Sequence, residues 1–244
     1  MKLNLKNIFR ENRDNIVYIT VYNLLFTFLL YLLFFLVLQT GLTNINISDL
    51  SILNSIIIIV ASLFAFIIGF QFTFSNFNLN STATYFNVVA GNSNRFYLRQ
   101  LINALILILF EIIITLIVLN IIDNSVINIL MLPIFVIYII LVAIIFINLG
   151  NIAGILTKKS LVSLAALSII IFLLYILSGA LVPLEQNQTL YGMIIKYSPT
   201  AMVLNGGSHI LQQKFNAIVA PLAYVLGLDI LTSFITILLL KREN

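Results

Sequence analysis

Six apolar runs, each close to twenty residues long, divide this chain at 16–38, 52–74, 101–122, 129–149, 161–182 and 217–240. About 20 helical residues cross a ~30 Å hydrocarbon core. Inside lipid no water is present to satisfy the backbone, so a spanning run must bond within its own segment, as a helix. A barrel would show short alternating strands instead. The composition agrees: 61% of residues are hydrophobic and 8% charged, against about 25% charged in soluble domains. The sequence therefore predicts an all-α polytopic membrane protein with six transmembrane helices. It reads as one domain over 1–244, with no length left for a soluble domain.

Charge orients the spans. Lys2, Lys6, Arg10, Arg13, Arg95, Arg99, Lys158, Lys159, Lys241 and Arg242 fall on one side of the alternation, and only Lys196 and Lys214 on the other. Short loops rich in Lys and Arg stay in the cytoplasm, which places both termini inside a cell membrane. The net charge of +4 is accounted for by this orientation and needs no nucleic-acid partner. The chain has no cysteine, which excludes disulfide and thiolate chemistry. The first run exceeds a signal-peptide core and lacks a small-residue cleavage site, so it is expected to be retained.

Between the spans, 1–15 carries Leu5, Ile8 and Phe9 at helical spacing with basic flanks. It suits a helix lying in the cytoplasmic headgroup layer. The cytoplasmic segment 75–100 holds a helix-like piece, with Asn80 or Ser81 as its cap and Gly91 as its stop. In it Tyr85, Phe86, Val88 and Val89 face no obvious core, which suits either the membrane surface or a partner. Arg95 and Arg99 then mark re-entry into the bilayer. Pro133 is placed in the first turn of the fourth span, where its missing N–H costs little. Gly150 and Gly154 form a GxxxG, and Ser178, Gly179 and Ala180 a second patch that permits close helix approach. The segment 183–216 is too polar to span and too apolar for a plain loop. Pro199 and the pair Gly206–Gly207 are expected to break it into two short pieces, an outer or re-entrant helical hairpin before the sixth span.

Few residues here carry chemistry. There is no GxxxxGK[ST] phosphate loop and no HExxH pair, and His209 is the only histidine, so ATP hydrolysis by a P-loop and zinc proteolysis are not expected of this chain. No GxSxG elbow is visible. Catalytic, cofactor and metal sites are therefore predicted to be none. Glu111 and Asp229 stand out because they fall within spans three and six. A carboxylate at such depth costs roughly 2.5–3.5 kcal/mol on insertion scales and faces a bundle interior or a water-filled path. Asn103, Gln71 and Asn148 are the possible neutral partners. Both acids are candidates for a cargo path, or for protonated groups that tie helices together.

The pattern LSGALVP at 177–183, followed by YSPTAMVLNG at 197–206, resembles the membrane subunits of ABC-2 type transporters. The likeness extends to the organisation: an interfacial helix, six spans, a long cytoplasmic loop after the second and a broken hairpin before the last. Its motif residues are Ser178, Gly179, Pro183, Tyr197, Pro199 and Thr200. The resemblance implies a coupling segment that docks on a separate ATPase, here Ser81, Thr82, Thr84, Tyr85, Phe86, Asn87, Val88 and Val89, continuing through Gly91 to Arg95. The family often has Pro-x-Ser-Arg where this chain has Gly91-Asn92-Ser93-Asn94-Arg95. It also implies two copies of the ATPase, which would bind the ATP and Mg, and a second membrane subunit, expected to be an identical copy. In size and composition the chain is similar to Gram-positive peptide exporters, such as those of phenol-soluble modulins, and to peptide-immunity transporters. An amphipathic peptide is the implied cargo. The alternative that the residues leave open is a proton-coupled secondary transporter using Glu111 or Asp229.

Overall fold

In the computed structural model the described residues are 29, 32, 49–78, 93–122, 130–157, 160–178 and 198–242. The interfacial helix of 1–15, nearly all of the first span, residues 79–92 and the first piece of the hairpin lie outside them. Leu29 and Leu32, within that first span, are helical and exposed. Among the described residues no strand occurs. The helices are α1 (Asp49–Asn78), α2 (Ser93–Ile122), α3 (Leu132–Leu156), α4 (Ser160–Leu177), α5 (Pro199–Leu211) and α6 (Phe215–Arg242). Four of them, α1, α2, α3 and α6, are long and apolar enough to cross a membrane, and α4 is a shorter apolar helix. The described residues are thus all-helical, and the protein is membrane-embedded.

Helix α1 is the centre of the bundle. From Asn54 to Phe70 nearly every residue is buried, as expected of a helix apolar on all sides and surrounded by others. Its main partner is α3, with α2, α4 and α5 also against it; α6 packs on α3 and α5. The α1–α3 crossing is set by two glycines. A Cβ on Gly69 would lie 3.0 Å from the Ile147 carbonyl carbon and closer still to its oxygen; one on Gly150 would lie 2.8 Å from the Phe70 amide nitrogen and closer still to the Phe66 oxygen. Only hydrogen at these positions lets the two backbones touch. The GxxxG glycine at 150 therefore serves packing within this chain.

Helix ends sort into two levels. At one, the first turns of α2 meet the last turns of α1 and α3 through Gln100, Thr73 and Asn151. Buried residues continue along α2 from Tyr97 to Thr115, so α2 runs back along α1 and α3. This level is the basic end, carrying Arg95, Arg99, Lys241 and Arg242 in sequence. At the other level, the starts of α1 and α3 both meet α5 through Asn54 and Tyr138.

Three boundaries differ from expectation. Helix α2 starts at Ser93, not near 101. Hydropathy marks where the composition turns apolar, whereas Asn, Arg, Tyr and Gln are compatible with helix before that point. Residues 95 and 99 therefore sit in helical turns. Second, α3 begins at Leu132 rather than near 129, with Pro133 in its first turn as expected. The third difference concerns Gly206–Gly207, which do not break the chain. Both are buried inside α5, against Tyr138, Pro221, Asn54 and Ile58. The break falls after them, at Gln213, which takes a left-handed conformation at φ 58°. The Lys214 N–H then turns back to the His209 carbonyl at 2.9 Å, a C-terminal closure that satisfies a free helix-end acceptor.

Candidate functional site

Polar side chains inside the bundle collect at the two levels. At the α5 end, α5 is fixed by its own cap and by its neighbours. Ser198 caps it, accepting from the Ala201 N–H at 3.2 Å, and Pro199 follows in the first turn, where its missing N–H is harmless. Asn54 of α1 donates to the Leu204 carbonyl at 3.0 Å, and Tyr138 of α3 donates to the Val203 carbonyl at 2.8 Å. Carbonyls of a helix interior are already used once, and each second lone pair here accepts a bond from another helix. Ser178, at the end of α4, contacts Ser198 at 3.3 Å and bonds to Thr200. The two halves of the sequence motif therefore meet, through Ser178 on one side and the Pro199–Thr200 start of α5 on the other. Gly179, Pro183 and Tyr197 lie outside the described residues. Below this level Ser62 of α1 and Tyr175 of α4 share a hydrogen bond of 2.7 Å.

At the basic end there are two three-residue networks. Tyr97 donates to Asn148 Oδ1 at 2.9 Å, and Asn148 Nδ2 donates to Ser233 Oγ at 2.9 Å. The Tyr97 and Ser233 hydroxyls are 3.2 Å apart. A phenol has one proton. With that proton on Asn148, the Ser233 hydroxyl supplies the third link and the ring closes through α2, α3 and α6. In the second network, Gln100 Nε2 reaches Thr73 Oγ1 at 3.1 Å and Asn151 Oδ1 at 2.8 Å, and Thr73 Oγ1 donates to Asn151 Oδ1 at 2.7 Å. This triangle joins α1, α2 and α3. Thr232 and Thr236 extend the set along α6, each donating to the carbonyl four residues back.

Interhelical bonds of this kind contribute about 0.6 kcal/mol each in a membrane and at most ~1.7. Against that, Gln100 Oε1 and Asn151 Nδ2 are buried with no hydrogen-bond partner among the described residues. Each such group costs about 1–3 kcal/mol. The second network is therefore close to neutral for stability.

The two spanning acids are not brought together. Glu111 is fully buried on α2 and accepts a bond from Thr115 at 2.9 Å, one turn along its own helix. Asp229 on α6 is 9% exposed, and neither carboxyl oxygen has a hydrogen-bond partner among the described residues. Asn103, Gln71 and Asn148 therefore do not pair with it; Asn148 is taken up by the ring. At a rise of about 1.5 Å per residue, Glu111 lies about 21 Å from the Tyr97 level and Asp229 about 6 Å from the Ser233 level. Of the two, only Asp229 lies about one helical turn from a network residue on its own helix, Ser233.

Among the described residues no group of three His, Cys, Asp or Glu side chains is placed to hold a metal ion. Of the docking segment expected from sequence, Ser81, Thr82, Thr84, Tyr85, Phe86, Asn87, Val88, Val89 and Gly91 lie outside the described residues. Arg95 falls in the first turn of α2. The sequence reading passed over Tyr97, Gln100, Thr73, Asn151 and Ser233. Their signal was present as polar residues three apart at the ends of apolar runs, Tyr97 with Gln100 and Asn148 with Asn151. No family model matches the chain, and no characterised protein and no solved structure matches it either.

Proposed function

We propose that this chain is the membrane subunit of an ATP-binding-cassette exporter of the ABC-2 type, moving amphipathic peptides out of a bacterial cell or its membrane. Power comes from a separate ATPase, two copies of which bind ATP and Mg and grip the cytoplasmic segment 81–95. Two membrane subunits, identical copies, pair across the bilayer, with both termini in the cytoplasm. The observation that supports this reading most is the junction of Ser178 with Ser198 and Thr200. It joins the two motif halves and seats a short capped helix across the end of the bundle opposite the basic end. The lack of any phosphate-binding motif within the chain fits a subunit that takes its energy from a partner. Few charges line the interior, which suits an amphipathic cargo entering from the lipid rather than a strongly polar solute.

The test is co-purification. Tyr85→Ala with Phe86→Ala is expected to abolish recovery of the ATPase from solubilised membranes while insertion is retained. Recovery equal to the unaltered chain would refute the assignment of that segment. Asp229 favours a second reading, a proton-coupled transporter, because its buried carboxyl lacks a hydrogen-bond partner among the described residues. That reading requires solute movement on an ion gradient without ATP, abolished by Asp229→Asn or Glu111→Gln.

A further inference from the structure

The two networks at the basic end join four helices at the level from which residues 79–92 depart. Thr73 lies five residues before the end of α1, and Tyr97 four residues after the start of α2. These helix ends flank the 79–92 segment on either side in sequence. From there the bonds lead through Asn148 and Asn151 of α3 to Ser233 of α6. Ser233 is one helical turn from Asp229.

We propose that Tyr97, Asn148, Ser233, Gln100, Thr73 and Asn151 are positioning residues that carry a displacement of the α1 and α2 ends into α6. The proposal rests on the exporter reading, in which the ATPase acts on the segment between those ends. Apolar burial is non-directional and fixes the relative position of two helices less sharply than a directional bond does. A hydrogen bond weakens steeply when its angle or length changes. The closed ring is therefore a link that resists shear between α2, α3 and α6 more sharply than Leu and Ile would. Its low value for stability points the same way. A set assembled for stability alone would not bury Gln100 Oε1 and Asn151 Nδ2 without partners among the described residues. Tyr97, Gln100, Thr73, Asn148 and Asn151 are all buried, so neither water nor lipid headgroups substitute for the bonds.

The experiment uses the full chain with its ATPase, reconstituted in vesicles of phosphatidylglycerol and cardiolipin. The probe is a fluorescein-labelled amphipathic helical peptide. The readout is the ratio of peptide moved to ATP hydrolysed. Tyr97→Phe and Ser233→Ala are each expected to lower that ratio about tenfold, and Ser233→Thr, which keeps the hydroxyl, to restore it. A second measurement covers variants that transport poorly for want of folding. The chain has no cysteine, so Leu98→Cys and Leu231→Cys, both at exposed positions, accept spin labels cleanly. ATP should shift the 98–231 distance distribution in the unaltered background, and that shift should be lost with Tyr97→Phe. An unchanged ratio in the Tyr97→Phe, Ser233→Ala double variant overturns the proposal. So does a proportional fall in transport and hydrolysis that Ser233→Thr fails to restore, since that marks a structural role alone. If the unaltered chain recovers no ATPase, the exporter reading fails first, before any variant is compared.

Discussion

Replacing Gly69 by Ala tests the central crossing of the bundle. The added methyl carbon would lie 3.0 Å from the Ile147 carbonyl carbon and Cα. Ordinary contact at a Cβ begins near 3.4 Å, so α1 and α3 must move apart by at least the 0.4 Å difference, and further to clear the oxygen. Both obstacles are backbone, and no rotamer change relieves them. A gap of about 0.5–1 Å forfeits a quarter to a half of the dispersion energy of the atoms facing it. Overpacking of this kind costs about 1–3 kcal/mol and occasionally more. At about 2–4 °C per kcal/mol for a chain of this size, a ~3 kcal/mol loss lowers the melting temperature by about 6–12 °C. Gly150→Ala meets the same crossing from the other side and should cost a similar amount. The double variant should cost clearly less than the sum, because one separation accommodates both methyl groups and the sites share partners. Gly227→Ala is the control, as nothing lies within 4 Å of its added carbon. It should melt at or above the unaltered protein, since Ala is favoured over Gly in a helix by up to about 1 kcal/mol. Thermal melts in a fixed detergent decide the matter. If Gly69→Ala and Gly150→Ala melt with Gly227→Ala, the two backbones are not in contact and the central crossing is wrong.

Tyr175→Phe removes the bond to Ser62, and should cost about 0.6 and not more than ~1.7 kcal/mol; Ser62→Ala added to it should cost almost nothing more, which a double-mutant cycle reads directly. His209 near the end of α5 is held below its ordinary pKa by burial and, second, by Lys214. The folded state therefore binds that proton less tightly than the unfolded one. Stability should be complete above the ordinary histidine value near ~6.5 and fall as pH drops through it; melts at pH 5 and pH 8 should differ, and His209→Gln should narrow the difference.

Helicity, and the approximate place of the long helices, could be read from the chain alone, because both are local consequences of apolar runs that must satisfy their own backbone in lipid. The same is true of Pro133 at a helix start, where a missing N–H is tolerated. What hydropathy could not show was which side chains meet. Gly206 and Gly207 read as breakers in isolation, yet they are helical. The space beside them is filled by Tyr138 and Asn54 from helices 68 and 153 residues away in sequence. Glu111 and Asp229 read alike because each falls near the middle of its own run. That Asp229 is buried without a hydrogen-bond partner among the described residues, whereas Glu111 accepts from Thr115, follows only from the tertiary structure. Composition determined that the chain enters a membrane as helices; the identity of each polar group's partner was decided by tertiary packing, because lipid-soluble helices are indifferent to register until directional bonds and backbone contacts select one.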